Sequence, residues 1–184
     1  MNSDLFTGKL VRLAAFNPEV DAEITARWSR DTEYHRLGDN DPAYPQSTKQ
    51  AKEWLGHDGD SHFNFMIRTL TDDRLIGGVG LWLENWAHGE AWVGIGIGER
   101  ECWGLGYGTD AMLIVVRYAF TELNLRRVSL GVFAHNPRAS RSYEKAGFRR
   151  EGLIRGDCRR DGQRWDSVFM GILRDEWRTI NNEQ

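Results

Sequence analysis

Two stretches combine residue types and spacings that chemistry could use. The first is Trp103-Gly104-Leu105-Gly106-Tyr107-Gly108-Thr109. Alternating glycines let a chain turn its N–H groups inward, and a helix start directly behind them adds partial positive charge. Together these make a cradle for a phosphate or pyrophosphate. Glycines also serve plain turns, so the loop taken alone is open between the two readings. No Lys-Ser/Thr pair follows the last glycine, which excludes a Walker loop, and the βαβ setting of a dinucleotide fingerprint is missing. Asp110 falls in the first helical turn, so it must point away from any anion held there. The second stretch is Asn136-Pro137-Arg138-Ala139-Ser140-Arg141-Ser142-Tyr143-Glu144-Lys145-Ala146-Gly147-Phe148. Asparagine before proline is a good helix N-cap, and Gly147 supplies the stop. Residues 138–164 hold nine basic and four acidic side chains, which reads as a solvated basic face or as an anion site.

These residues need elements to position them. Met112, Val115, Val116, Ala119, Phe120 and Leu123 recur at helical spacing and predict a helix over about Thr109 to Leu123. A buried strand, Val128 to Phe133, leads into a short helix, Pro137 to Ala146. Upstream, Leu10 to Leu13 reads as a strand. Pro18 begins a helix carrying Val20, Ile24 and Trp28, a polar loop runs from Gly38 to Ser47, and a helix over Thr48 to Leu55 has Ala51, Trp54 and Leu55 on one face. Three strands follow, Phe63 to Thr69, Leu75 to Leu83 and Ala91 to Gly98, with turns at Thr71-Asp72-Asp73 and Asn85 to Gly89. The third contains Gly94-Ile95-Gly96-Ile97-Gly98, and interior glycine marks a bulge or a close approach of ligand or backbone. Strands at Phe148 to Asp157 and Trp165 to Leu173 close the chain. The sum is a mixed α/β domain with an antiparallel-rich sheet.

Composition narrows the function classes. The 184 residues are 40% hydrophobic and 28% charged, which fits one ordinary globular domain. Net charge is −3, split as −6 over residues 1–92 and +3 over 93–184, which argues against a dedicated nucleic-acid binder. The longest apolar run, Ala111 to Val116, is far short of the ~20 residues of a membrane span. The Met1-Asn2-Ser3-Asp4 start lacks the pattern of a signal peptide. Two cysteines, Cys102 and Cys158, are too few for a disulfide framework and read as reduced thiols of a cytoplasmic protein. His35, His57 and His62 form no metal-ligand spacing, so no metal is implied.

With the glycine loop and the Asn136 segment in the correct order and about 30 residues apart, the chain resembles the GNAT acetyltransferase superfamily. The tail from Glu151-Gly152 to Trp177 resembles the branch of ribosomal-protein N-terminal alanine acetyltransferases and bacterial spermidine acetyltransferases. The resemblance implies an α/β (α+β) fold: a mixed, mostly antiparallel sheet of about seven strands with about four helices, and strands four and five splayed. It implies a single domain over 1–184, with acceptor-side strand and helices in 1–60, the central sheet and pyrophosphate loop in 61–135, and a C-terminal helix and strands in 136–184. Acetyl-CoA is the implied co-substrate. Amides of Leu105, Gly106, Tyr107, Gly108 and Thr109 would hold its pyrophosphate, and main-chain groups of Ile95 and Ile97 its pantetheine arm. An N–H on the same strand would stabilise the oxyanion. Asn136 would bind the cofactor arm while capping its helix, and Arg138 and Lys145 could meet the 3′-phosphate. Tyr143 would be the acid that protonates the leaving thiolate, since a phenol near pKa 10 stays protonated at neutral pH. Ala139, Tyr143 and Ala146 share a helix face, so the ring could also be packing.

Two positions depart from the family pattern. Trp103 stands where the loop motif has Gln or Arg, and Trp92 stands where many members carry a basic glutamate. Glu84, with Glu90 and His88 nearby, is the candidate replacement. An α-amine of pKa roughly 7.7–8.0 is partly neutral at pH 7.5, whereas a lysine needs about 400-fold more help, so a missing strong base leans toward an α-amine. Between Trp28 and Asp60 lie seven acidic and four basic residues with Trp28, Tyr34, Tyr44 and Trp54 interspersed. That reads either as core rings and solvated acids, or as an acidic aromatic entrance for a cationic amine lined by Trp28, Tyr34 and Tyr44. The expected activity is direct acetyl transfer to a protein N-terminal α-amine, with a polyamine or other small amine, or a non-catalytic CoA-binding module, as alternatives. The expected partners are an amine-bearing acceptor and, as an ordinary arrangement for such enzymes, a second copy in a homodimer; neither nucleic acid nor membrane is expected.

Overall fold

The structure is a computed structural model and describes residues 4–56, 59 and 61–182; Met1 to Ser3 and His57 lie outside them. Seven strands form one sheet: β1 (Val11–Ala14), β2 (His62–Thr69), β3 (Leu75–Asn85), β4 (Glu90–Ile97), β5 (Arg127–Phe133), β6 (Arg149–Arg160) and β7 (Gln163–Leu173), in the order β1-β2-β3-β4-β5-β7-β6. Every pairing is antiparallel except β4 with β5, which run parallel. That parallel pairing lasts for three residues, Glu90 to Trp92 against Arg127 to Ser129, and then the two strands diverge. The expected splay is therefore present, and it opens toward the C-terminal ends of both strands.

Alternation along each strand sorts side chains onto two faces. Val93 on β4, Val128, Leu130 and Val132 on β5 and Met170 and Ile172 on β7 join the main core with α4 (Tyr107–Thr121), where Met112, Val115, Val116 and Ala119 are fully buried. This face also receives α5 (Pro137–Lys145) and α6 (Arg174–Asn182), whose Trp177 ring meets Phe120 at 5.6 Å. The opposite face is covered by α1 (Asp21–Trp28), α2 (Thr32–Gly38) and α3 (Thr48–Leu55), around a smaller core of Trp28, Leu55, Met66 and Leu75. No helix among the described residues is long and apolar enough to cross a membrane.

The sequence expectations hold for α3, α4, α5 and all seven strands to within a few residues. Six helices form, where about four were expected. Helix α1 starts at Asp21, later than Pro18 suggested, and leaves Val20 exposed. Its buried residues are Asp21, Ala22, Ala26 and, as expected, Trp28, with the Asp21 carboxylate paired to Arg68. Trp54 was expected with Ala51 and Leu55 but is 68% exposed. Helices α2 and α6 were not anticipated. The first is short and set by its cap, since the Asp31 side chain accepts from the N–H groups of Glu33 and Tyr34.

Candidate active site

The parity of β4 decides what faces the splay. Gly98 N–H donates to Ile76 O on β3, whereas Gly89 O, on the opposite parity, accepts from Arg126 and Arg127 at the start of β5. The β3–β4 register is regular from Ala91 to Ile97. The main-chain groups of Ile95 and Ile97 therefore point toward β5, beyond the last β5 pairing at Trp92. One of them is engaged: the Trp103 indole N–H donates to Ile97 O at 2.6 Å. Trp103 thus does a job at the Gln/Arg position of the motif, tying the glycine loop to the strand before it. Its ring also lies under the Arg138 guanidinium, 4.0 Å from the centroid, and near that of Arg100 at 5.3 Å.

The loop then turns through Gly104 (φ +79°) and Gly106 (φ +93°), left-handed positions that favour glycine. Gly106 is the N-cap of α4, so no side chain covers the first-turn amides of Tyr107, Gly108 and Thr109. Those N–H groups, at the positive end of a 15-residue helix, form a site for an anion. Asp110 does point away: its carboxylate accepts from the backbone N–H groups of Lys9, Leu10 and Val11 at 2.7–3.1 Å, anchoring β1 to α4. The unpaired strand groups and the uncapped amides fit an extended amide-bearing chain that ends in a pyrophosphate.

Helix α5 closes the other side of the splay. Arg138, Ser142 and Lys145 recur at i, i+4 and i+7, and one stripe of α5 thereby faces the loop. Arg138 covers Trp103, Ser142 Oγ bonds Thr109 Oγ1 at 2.8 Å, and Lys145 remains exposed. Tyr143 turns inward against the main core, with its ring 6.3 Å from that of Phe148. Its hydroxyl has no hydrogen-bond partner among the described residues, and burial pushes the phenol up to about 12. Asn136 Oδ1 caps α5 through Ala139 N–H at 3.1 Å, as its sequence context required. Its Nδ2 donates to Leu37 O of α2 at 3.1 Å. Both ends of the side chain are thus used, and Asn136 joins α5 to α2.

On the far face, α2 packs against both β4 and β5 and so roofs the splay. The glycines of β4 make room for rings, not for a ligand. A Cβ at Gly98 would overlap the Trp28 ring, one at Gly96 the Tyr34 hydroxyl, and one at Gly94 would press on Trp82 at 3.0 Å. Trp28 is 5% exposed and its indole N–H donates to Glu99 at 2.8 Å, so it is core and not an acceptor-lining ring. Tyr34 is packed beside it at 6.4 Å, with burial raising its phenol to about 12. Tyr44 is 50% exposed and lines a separate open hollow with Ser29, Arg30 and Pro45.

Glu84 stands at the other end of β4 from the splay. It is the bulged residue between Leu83 and Asn85, opposite the start of β4. The splay at Ile95–Ile97 lies roughly 15–20 Å away along the sheet, at about 3.3 Å per residue. Glu90, ion-paired to Arg126, and His88 share that end. What sequence reading missed is a hollow under α2 of about 260 Å³, lined by Thr32, Glu33, Arg36, His135, Asp161 and Trp165 among others. Its two carboxylates each hold an arginine, Glu33 with Arg100 at 2.7 Å and Asp161 with Arg36 at 2.9 Å. These residues are up to 133 positions apart, and only the folded sheet brings them together.

Comparison with known proteins agrees with this geometry. Residues 11–149 match the acetyltransferase (GNAT) domain family. The chain is 38% identical to the probable N-acetyltransferase YjcK of Bacillus subtilis over 115 residues, 62% of this chain and 63% of that protein's length. It is 32% identical to the putative ribosomal N-acetyltransferase YdaF of the same organism over 108 residues, 59% of this chain and 58% of YdaF. Among solved structures, the spermidine N-acetyltransferase of Vibrio cholerae in complex with CoA and spermine superposes with a TM-score of 0.80 at 26% identity, covering 91% of this chain and 97% of that one. The chain belongs to the acetyltransferase (GNAT) family and is, by that membership, an acetyl-CoA-dependent N-acetyltransferase.

Proposed function

We propose that the protein transfers acetyl from acetyl-CoA to a single weakly basic amine, of which a protein N-terminal α-amine is the best fit. In this reading the amides of Leu105 to Thr109 hold the pyrophosphate, and Ile95 and Ile97 pair with the pantetheine arm. Arg138 and Lys145 flank the phosphates from α5. The amine enters under α2, and its lone pair attacks the thioester carbonyl carbon. The carbonyl oxygen takes up negative charge beside a splay-facing N–H of β4. The C–S bond then breaks, its electron pair goes to sulfur, and Tyr143 donates the proton that yields free CoA, while the acylated nitrogen gives up one proton, which restores the phenol through solvent. Burial weakens the phenol as an acid, but it also raises the proton affinity of a thiolate formed beside it, so donor and acceptor stay matched.

The observation that carries the acceptor class is the state of the carboxylates under α2. Asp161 pairs with Arg36, and Glu33 shares Arg100 with Asp31, so each carboxylate lining the hollow already has a guanidinium in contact where a further ammonium group of a polyamine would have to sit. The Vibrio cholerae structure with spermine supports polyamines as the second reading. The buried thiols Cys102 and Cys158 accord with a cytoplasmic setting within the same proposal. The test is steady-state thiol release from acetyl-CoA with three acceptors: a peptide with a free N-terminus, the same peptide N-terminally blocked and carrying a lysine, and spermidine. The free N-terminus should give the highest kcat/KM, by at least tenfold; a preference for spermidine would replace this reading with the second.

A further inference from the structure

With Glu84, Glu90 and His88 at the other end of the sheet, Glu33 held by Arg100 and Asp161 by Arg36, no carboxylate among the described residues lines the hollow free to accept a proton from the attacking amine. His135 is placed to do so. It follows the end of β5, one residue before the Asn136 joint, and lines the hollow under α2. The imidazole stacks on Phe133 at 5.3 Å with 2° between the planes, and meets the Trp165 ring at 5.1 Å, which fixes its orientation. Nε2 lies 3.3 Å from Arg36 O, an acceptor that can only receive, so Nε2 carries the proton. That tautomer leaves a bare lone pair on Nδ1. Nδ1 is buried and has no partner among the described residues. A buried acceptor without a donor is unfavourable, and an N–H group arriving with a ligand relieves it.

We propose that His135 is the general base of the acetyl transfer, taking the proton of the acceptor nitrogen on Nδ1. As the C–N bond forms, the nitrogen becomes cationic; one N–H proton passes to Nδ1 while the C–S electron pair leaves with sulfur and Tyr143 protonates it. The products are the amide and free CoA, and the imidazolium returns its proton through solvent to the tyrosinate. The Arg36 carbonyl supports the imidazolium through Nε2–H. The charged groups lining the hollow with the ring are Glu33 and Arg36 from α2, Arg160 from the end of β6 and Asp161 from the β6–β7 turn, and the two carboxylates are ion-paired.

This inference rests on the acetyl-transfer reading, which turnover of any amine by the unaltered protein establishes beforehand. The test compares pH profiles of kcat and kcat/KM between pH 5.5 and 9.5 for the unaltered protein and His135→Gln. The expected result is a fall in kcat of about 100-fold at pH 7, within the range for loss of general-base catalysis. KM and the acetyl-CoA-induced thermal shift should stay within twofold of the unaltered values. An unchanged profile, or a rise in KM alone, would overturn the proposal and leave His135 a wall of the hollow. Imidazole 15N shifts of the unaltered protein test it without a variant: a bare Nδ1 on His135 is expected, and a protonated Nδ1 in the neutral ring would overturn it.

Discussion

Tyr143 and Trp103 illustrate how a side chain acquires a role from its neighbours. Tyr143 occupies a position that packing alone would explain, but its hydroxyl has no hydrogen-bond partner among the described residues and is held protonated far above neutral pH by burial of the ring. Tyr143→Phe should lower kcat by about 10²–10³-fold, within the range for loss of an acid, while the calorimetric Kd for CoA stays within twofold. The sign of the pKa shift adds a check. Because the phenol titrates near 12, kcat should show no alkaline fall from Tyr143 up to pH 10. Trp103 is legible as a departure from the motif, and its role is not, because the Ile97 carbonyl and the Arg138 guanidinium it meets come from other elements. The glycines of β4 were legible as close approaches, and the partners were misjudged. Rings of α1 and α2 fill that space, so Gly98→Ala should cost about 1–3 kcal/mol in urea unfolding through overpacking against Trp28.

Elements set how these residues meet. Helix α4 was readable from its apolar stripe and α5 from its Asn-Pro cap, because both signals are local. Helix α2 was not, since seven residues give no periodic stripe, and its one local signal is Asp31 two residues before Glu33. That cap carries weight beyond its length. The Arg100 guanidinium, with the helix amides, holds the Asp31 carboxyl down at about 2. Its folded pKa lies below the ordinary value of about 3.9, so the stabilisation is whole above about pH 4 and is lost as pH falls toward 2. Asp31→Ala should destabilise the protein by about 1 kcal/mol through the lost cap. It should also raise KM for the acceptor more than for acetyl-CoA, because α2 roofs the acceptor side and the glycine loop holds the other. Steady-state kinetics with each substrate varied in turn separates the two constants. Helix α6 was missed for a different reason: its Trp177 contact lies with Phe120, more than 50 residues upstream.

At the scale of the molecule, one departure from a regular sheet organises the rest. A parallel pairing of three residues, flanked by antiparallel strands, leaves an opening that passes through the sheet. Helices α4 and α5 bring uncapped amides, Arg138 and Tyr143 to one side, and α2 brings a hollow with His135 and Trp165 to the other. The glycine loop and the Asn136 segment are continuous in the chain, so α4 and α5 behind them were readable from local signals. The residues expected on the acceptor side are dispersed in the fold: Trp28 is core, Tyr34 lies on α2, Tyr44 lines a separate hollow and Glu84 stands at the other end of the sheet, whereas the hollow under α2 is assembled from α2, the end of β5 and the β6–β7 turn, which no local signal joins. A ligand held at 100 times its Kd stabilises a protein by about 2.7 kcal/mol. Saturating acetyl-CoA should accordingly raise the thermal midpoint by roughly 5–11 °C, at about 2–4 °C per kcal/mol for a chain of this size, and ATP should not.

The most direct test of this division into two sides is backbone amide hydrogen exchange, with and without saturating CoA. Protection is expected at Ile95, Ile97 and Leu105 to Thr109, with little change at Arg36 or at the Asp161–Gly162 turn; adding an acceptor peptide to the CoA complex should then protect α2 and the His135 segment. Protection by CoA confined to α2 and the β6–β7 turn, with the glycine loop unchanged, would contradict the account.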